Sequence, residues 1–216
     1  MVRVRGRFIL SLSFALSLAA CSGATPPEGI GPIGGDVPEN AFSETNPYTG
    51  AAYDTPLPTP IMQFTATTAG PLGTDPAYSS RELQAKLPGF ETATAETARE
   101  NGVANTLVAL HDGQQVLQLF KGSGGKVSEI HAASGVVAGP AGEQVGMTFR
   151  QAGMSRSNCR VGRNLWRGMA VCPSKGAKNV TLVFALPGYR GPFDRMPPEG
   201  KIGDAVLQRF VWTPNG

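Results

Sequence analysis

The sequence predicts an α+β fold: a single, mostly antiparallel β domain with one or two short helices, preceded by a disordered tether. Three observations predict it. From about residue 106 onward, short runs of aliphatic, aromatic and β-branched residues alternate with Gly, Pro and Asp-Gly punctuation, as antiparallel strands do. Ahead of them, one segment near residue 80 combines a capping signal with helical spacing. Between Ser22 and about Pro60 the chain holds Pro26, Pro27, Pro32, Pro38, Pro47, Pro56, Pro58 and Pro60 and little apolar periodicity. Such a stretch cannot bury enough apolar area to offset chain entropy.

Three parts follow in order: residues 1–20, 21–60 and 61–216. The first opens with Arg3, Arg5 and Arg7, continues through the apolar run Phe8 to Ala20, broken only by Ser11, Ser13 and Ser17, and ends in small residues. That is the order of parts in a secretory signal peptide. The run is shorter than the roughly 20 residues a bilayer-spanning helix needs. Leu18-Ala19-Ala20-Cys21 resembles the bacterial lipobox, and the resemblance implies cleavage before Cys21 and lipidation of that cysteine. Several acyl chains would make attachment stable. By resemblance to enterobacterial lipoproteins, Ser22 in place of Asp favours the outer membrane. The tether contains Gly29-Ile-Gly31-Pro-Ile-Gly34, but no strand precedes it and Pro32 interrupts it, so it is not read as a dinucleotide fingerprint.

In the folded part, Ser79-Ser80-Arg81-Glu82 is a capping box, and Leu83 and Leu87 share a helical face before Pro88-Gly89. A second short helix is expected at Thr94 to Glu100, ended by Asn101-Gly102. Thr106 to Leu110 and Val116 to Phe120 flank Asp112-Gly113 as a hairpin. Further strands are expected at Val127 to Ala132, Gly135 to Ala138, Met147 to Gln151, Met169 to Cys172, Asn179 to Ala185 and Val206 to Trp212.

Composition narrows the chemistry. The 216 residues are 41% hydrophobic and 16% charged, which argues against a disordered polymer. With 2 His and 3 Cys, a metal site would lean on carboxylates, and neither metal nor cofactor is expected. Setting Cys21 aside leaves Cys159 and Cys172, whose spacing fits a disulfide-closed hairpin and not the C-x-x-C of a redox pair. Catalytic candidates are few. His111 adjoins a turn. Glu129 and His131 share a strand face, as an acid–base pair or as ordinary cross-strand partners. Gly122-Ser-Gly-Gly125-Lys126 lacks the first Gly and the final Ser or Thr of a phosphate loop, and Ser134 and Ser155 lack the hydrolase elbow.

Charge is divided along the chain. No Lys or Arg falls between Phe8 and Ser80, while Glu28, Asp36, Glu39, Glu44, Asp54 and Asp75 do. No acidic residue falls between Glu143 and Asp194, where Arg150, Arg156, Arg160, Arg163, Arg167, Lys175, Lys178 and Arg190 cluster, with Trp166 beside Arg167. Arg160, Arg163, Trp166 and Arg167 are therefore candidates for binding an anionic partner, since the planar guanidinium suits phosphate. A solvated face that compensates the acidic tether explains the same run.

Gly146-Met-Thr-Phe149, the Cys159 to Cys172 segment, Asn179-Val-Thr-Leu-Val-Phe184, Gly191-Pro-Phe-Asp-Arg-Met-Pro197-Pro198 and Leu207-Gln-Arg-Phe-Val-Trp212, in that order, resemble the sigma-E-regulated, YfeY-like lipoproteins of proteobacteria. Thr68-Ala-Gly-Pro71 and Leu87-Pro88-Gly89 fit the beginning of that family, so the resemblance spans about Phe64 to Trp212. It implies an outer-membrane lipoprotein facing the periplasm, tied to envelope stress, with no assigned activity and no catalytic residues to carry over. The expected partners are the membrane, through lipid on Cys21, and an anionic lipid, lipopolysaccharide or envelope protein; nucleic acid is not among them. The leading function is a non-enzymatic binding or scaffolding module. The alternatives are a periplasmic hydrolase, built on Glu129 and His131 or on an unrecognised site, and a lysozyme-inhibitor-like binder, which the basic domain disfavours because the common lysozymes are basic too.

Overall fold

Twelve regular elements, β1 (Met62–Gln63), α1 (Ser80–Lys86), β2 (Glu91–Arg99), β3 (Gly102–His111), β4 (Gln114–Lys121), β5 (Val127–Ala132), β6 (Val137–Ala138), β7 (Arg160–Val161), β8 (Ala170–Pro173), β9 (Val180–Ala185), α2 (Glu199–Ile202) and β10 (Val206–Trp212), make up the computed structural model, which describes residues 56–214. The lipobox, Cys21 and the expected tether up to residue 55 lie outside the described residues.

Eight strands form one antiparallel sheet in the order β2-β3-β4-β5-β10-β9-β8-β7. Two four-stranded meanders, each made of chain-neighbouring strands, are thus joined where β10 pairs with β5 (Val211 opposite His131). β1 and β6 form a separate parallel pair. The α+β class and its mostly antiparallel sheet are as the sequence predicts.

Alternation then sorts the side chains. Leu107, Leu117, Leu119, Ile130, Leu182, Phe184, Phe210 and Trp212 point to one face and make the main core with Phe64, Leu72, Leu83, Leu87 and Phe149 from the covering segments. Burying each large aliphatic or aromatic side chain there contributes about 1.5–3 kcal/mol. Trp212 is fully buried and its indole Nε1–H donates to the Thr65 carbonyl at 3.0 Å, so the buried ring carries no orphan donor. The opposite face holds a smaller apolar cluster of Trp166, Val171, Val183 and Val211.

α1 starts as its capping box requires: the Ser79 side chain accepts from the Glu82 N–H at 3.5 Å, and Leu83 and Leu87 are buried. Asp112 and Gly113 both take positive φ, 51° and 73°, which sets the primed two-residue turn between β3 and β4.

Two expected elements are corrected. Thr94 to Glu100 is not a helix but the end of β2, whose Glu91-Thr-Ala-Thr-Ala-Glu-Thr-Ala-Arg99 run pairs residue by residue with β3. The β-branched Thr92, Thr94 and Thr97 serve a pleated strand better than a helix, and Thr97 meets Thr106 at 3.0 Å on one face. Asn101-Gly102 turns a hairpin instead of ending a helix. Met147 to Gln151 is a turn, not a strand. Thr148 and Gln151 exchange bonds, Thr148 N–H to Gln151 Oε1 at 2.8 Å and Gln151 N–H to Thr148 Oγ1 at 3.0 Å, which closes the backbone on itself. Only Val137–Ala138 of the expected strand at 135–138 is regular.

Candidate functional site

The second face of the sheet carries polar groups that the core face does not. On β5, Glu129 and His131 are two residues apart and so point the same way. Across the β5–β10 junction, Arg209 and Val211 join them on that face. His131 is fully buried, between the rings of Phe120 at 4.4 Å and Trp166 at 5.9 Å. Its Nε2 lies 3.2 Å from Glu129 Oε2, and its Nδ1 lies 3.4 Å from Arg209 Nη1. Arg209 Nη1 also donates to the Ala98 carbonyl of β2 at 2.9 Å, and its guanidinium carbon sits 5.7 Å from the Trp166 ring.

The electrostatics fix the roles. Burial pushes the His131 pKa below its ordinary 6.5; the hydrogen bond to Glu129 opposes this and the Arg209 charge adds to it. The Glu129 carboxyl is held below 4.5, chiefly by its hydrogen bond with His131, against the cost of burial. Burial also lowers Arg209, but a guanidinium keeps its proton in proteins. A neutral imidazole therefore donates Nε2–H to an ionised Glu129 and accepts at Nδ1 from Arg209. Both ring nitrogens are engaged.

This network ends at a cleft of ≈ 180 Å³. Glu129, Trp166, Arg99, Glu100, Asn101 and Arg160 line it, where the two outer edges of the sheet come together. Arg160 Nη1 and Nη2 donate to the Glu100 carboxylate at 2.6 and 2.7 Å, and the backbone N–H groups of Arg163 and Leu165 donate to Glu100 at 2.8 and 3.2 Å. The Arg160 hydrogen bond holds the Glu100 carboxyl below its ordinary 4.5. Trp166 reaches this position on a 3-10 turn at Asn164–Trp166, and Gly162 lets it: a Cβ there would overlap the Trp166 carbonyl.

A family described as "Protein of unknown function (DUF1131)" matches residues 62–214. The chain belongs to the DUF1131 family. Its fold is shared by the crystal structure of the uncharacterized protein YfeY from Escherichia coli, with a TM-score of 0.57 and 14% sequence identity over 70% of this chain and 99% of that one. No curated protein matches the sequence.

Among the candidates read from the sequence, this DUF1131 domain joins Cys159 to Cys172 in a disulfide. It brings Glu129 and His131 together. Of the four proposed anion-binding residues, Arg163 and Arg167 are exposed, Arg160 is engaged by Glu100, and Trp166 is 6% exposed and belongs to the second apolar cluster. His111 lies at the end of β3, 3.3 Å from Asp112. The glycine-rich run is the β4–β5 turn, and Lys126 there pairs with Asp75 at 2.7 Å. Ser134 caps the Val136 N–H, and Ser155 meets Ser157. Among the described residues no group of three or more His, Cys, Asp or Glu is placed to hold a metal. Sequence reasoning missed Arg209, whose signal is the one charged residue in the run Val206–Trp212. It also missed Arg99 and Glu100, because it placed them in a helix.

Proposed function

We propose that this DUF1131 chain is a sigma-E-regulated lipoprotein of the bacterial outer membrane, lipidated on Cys21 and facing the periplasm, whose domain docks non-enzymatically on an anionic surface. The observation that supports docking is a basic and aromatic face around the tip of the disulfide hairpin. A Cβ at Gly168 would come within 2.8 Å of Phe193 Cδ1 and 3.3 Å of Tyr189, so the 186–196 loop lies against the hairpin next to Arg167. Phe193, 43% exposed, stacks edge-on with Tyr189 at 5.7 Å. Arg167 and Arg190 are exposed, and neither pairs with a carboxylate among the described residues. Arg190, Lys201 and Asp204 line a groove of ≈ 510 Å³ between the same loop and α2. The hydrolase reading of Glu129 and His131 finds no comparable support, since His131 is buried with both nitrogens engaged.

Two measurements test the proposal. Cells carrying Cys21→Ser should release the protein or leave it unprocessed; membrane retention of a cleaved, unlipidated form refutes the anchor. The purified Cys21→Ser chain should then bind anionic vesicles at low salt. Each basic residue near the surface contributes about 1 kcal/mol, screened over roughly 8 Å at physiological salt. Changing Arg163, Arg167 and Arg190 to Ala together should abolish most of the binding; absent or salt-insensitive binding refutes docking.

A further inference from the structure

The cleft at the meeting of the sheet edges holds two opposite charges that neither touch each other nor are neutralised by a neighbour. Of its four ionised residues, Arg160 and Glu100 are bound to each other in a fork. The remaining two are Arg99 and Glu129. Arg99 leans over the Phe120 ring, 5.5 Å from its centroid, and forms no hydrogen bond or ion pair of 4.0 Å or less among the described residues. Glu129 uses Oε2 toward His131, while Oε1 has no partner among the described residues. The two attract, and the field of Arg99 helps hold Glu129 ionised.

This pairing selects a ligand class. A simple anion drawn to Arg99 would meet the Glu129 charge in the same cleft. A simple cation drawn to Glu129 would meet Arg99, with Arg209 behind it. A molecule carrying both signs satisfies both groups and leaves no charge unpaired. The volume of ≈ 180 Å³ lies below the roughly 300–1,000 Å³ of drug-sized pockets, which suits a small metabolite or headgroup. The Trp166 ring gives the cleft an apolar wall, and the Thr181 and Thr213 side chains give it hydroxyls.

We propose that this cleft binds a small zwitterion, its phosphate or carboxylate on the Arg99 guanidinium and its ammonium on Glu129 Oε1. The site is separate from the basic face of the hairpin and stands or falls without it.

The test is calorimetric titration of the full chain carrying Cys21→Ser, with phosphoethanolamine as the headgroup probe, β-alanine as the free amino-acid probe, and inorganic phosphate and ethanolamine as half-ligands. At least one zwitterion should bind about tenfold tighter than either half-ligand, as expected for one added charge-assisted hydrogen bond. Preference for phosphoethanolamine assigns the site to headgroups, and preference for β-alanine assigns it to amino acids. Arg99→Gln and Glu129→Gln should each weaken binding about tenfold; Arg81→Ala, in the exposed first turn of α1, should not change it. In the unaltered cleft, nuclear magnetic resonance should show the Trp166 indole N–H and the Arg99 side chain shifting on titration. Equal binding of phosphate alone, no binding at about 10 mM, or shifts confined to other residues overturns the proposal.

Discussion

Arg160, on the outermost strand at one edge of the sheet, places both terminal guanidinium nitrogens on the carboxylate of Glu100, which follows the outermost strand at the other edge, at 2.6 and 2.7 Å. β7 and β2 end the strand order at opposite edges and do not pair, so the junction rests on the Arg160–Glu100 fork and on the Arg163 and Leu165 N–H groups that Glu100 accepts. Glu100 gathers two backbone N–H groups as well, one at its carboxylate and one at its carbonyl. The site cleft exists because these edges meet.

The Arg160 side chain is 49% exposed and that of Glu100 16%, so solvent screens the pair from one side. A double-mutant cycle with Arg160→Gln and Glu100→Gln should give a coupling of about 0.5–1 kcal/mol by urea denaturation. Glu100→Gln alone should cost more, about 1–2 kcal/mol, because the Arg163 N–H loses its charged acceptor as well. Coupling indistinguishable from zero would mean that the edges stay together without the pair.

The Cys159–Cys172 bridge, with Cα atoms 4.2 Å apart, ties β8 to the segment leading into β7. Opening a loop of this length should remove about 3 kcal/mol of stability. Cys172 is fully buried in the main core, so Cys159→Ser with Cys172→Ala avoids burying a hydroxyl. The variant should keep its far-ultraviolet spectrum and melt earlier. Two titratable thiols in unfolded Cys21→Ser protein would show that the bridge does not form.

The sheet was legible where periodicity and turn chemistry agree. β5 and β10 fall at the expected residues because both are short runs enriched in β-branched or aromatic residues between glycine- or proline-bearing segments. β2 was illegible because Ala and Glu favour helices, while the pairing partner that decides the matter, β3, lies across a turn. The Glu129–His131 contact could be read from a spacing of two on one strand. Arg209 and Trp166 arrive from strands and turns remote in sequence, and no local pattern announces which loop will close over a sheet face.

Gln118, 6% exposed on the same face as His131, has a buried side-chain oxygen with no partner among the described residues. An unpaired buried carbonyl costs about 1–3 kcal/mol, so replacing it by an apolar group of similar shape should be neutral or stabilising. Gln118→Met is expected to leave the urea midpoint unchanged or raise it. A loss above about 1 kcal/mol would show that an ordered water satisfies the oxygen in solution.

His131 makes the fold sensitive to acid, and the sign follows from its surroundings. Arg209 and Arg99 face it with positive charge and Glu129 with negative, while Phe120 and Trp166 exclude water. Its folded pKa lies below the ordinary 6.5, so as pH falls through 6.5 the unfolded chain takes up a proton that the folded chain refuses. Stability drops across that window, by at most about 1.4 kcal/mol per pH unit for one group, until the folded pKa is reached. Glu129 and Glu100 act lower. Their folded values lie below 4.5, so the stability they confer is complete above it and is lost as pH falls through those values. Urea midpoints of the native chain should therefore decline between about pH 7 and about pH 5. His131→Gln cannot titrate, yet its amide can still donate to Glu129. It should be less stable at neutral pH, where the imidazole packing is lost, and should show a flatter decline. An undiminished slope in that variant would assign the acid sensitivity to other groups.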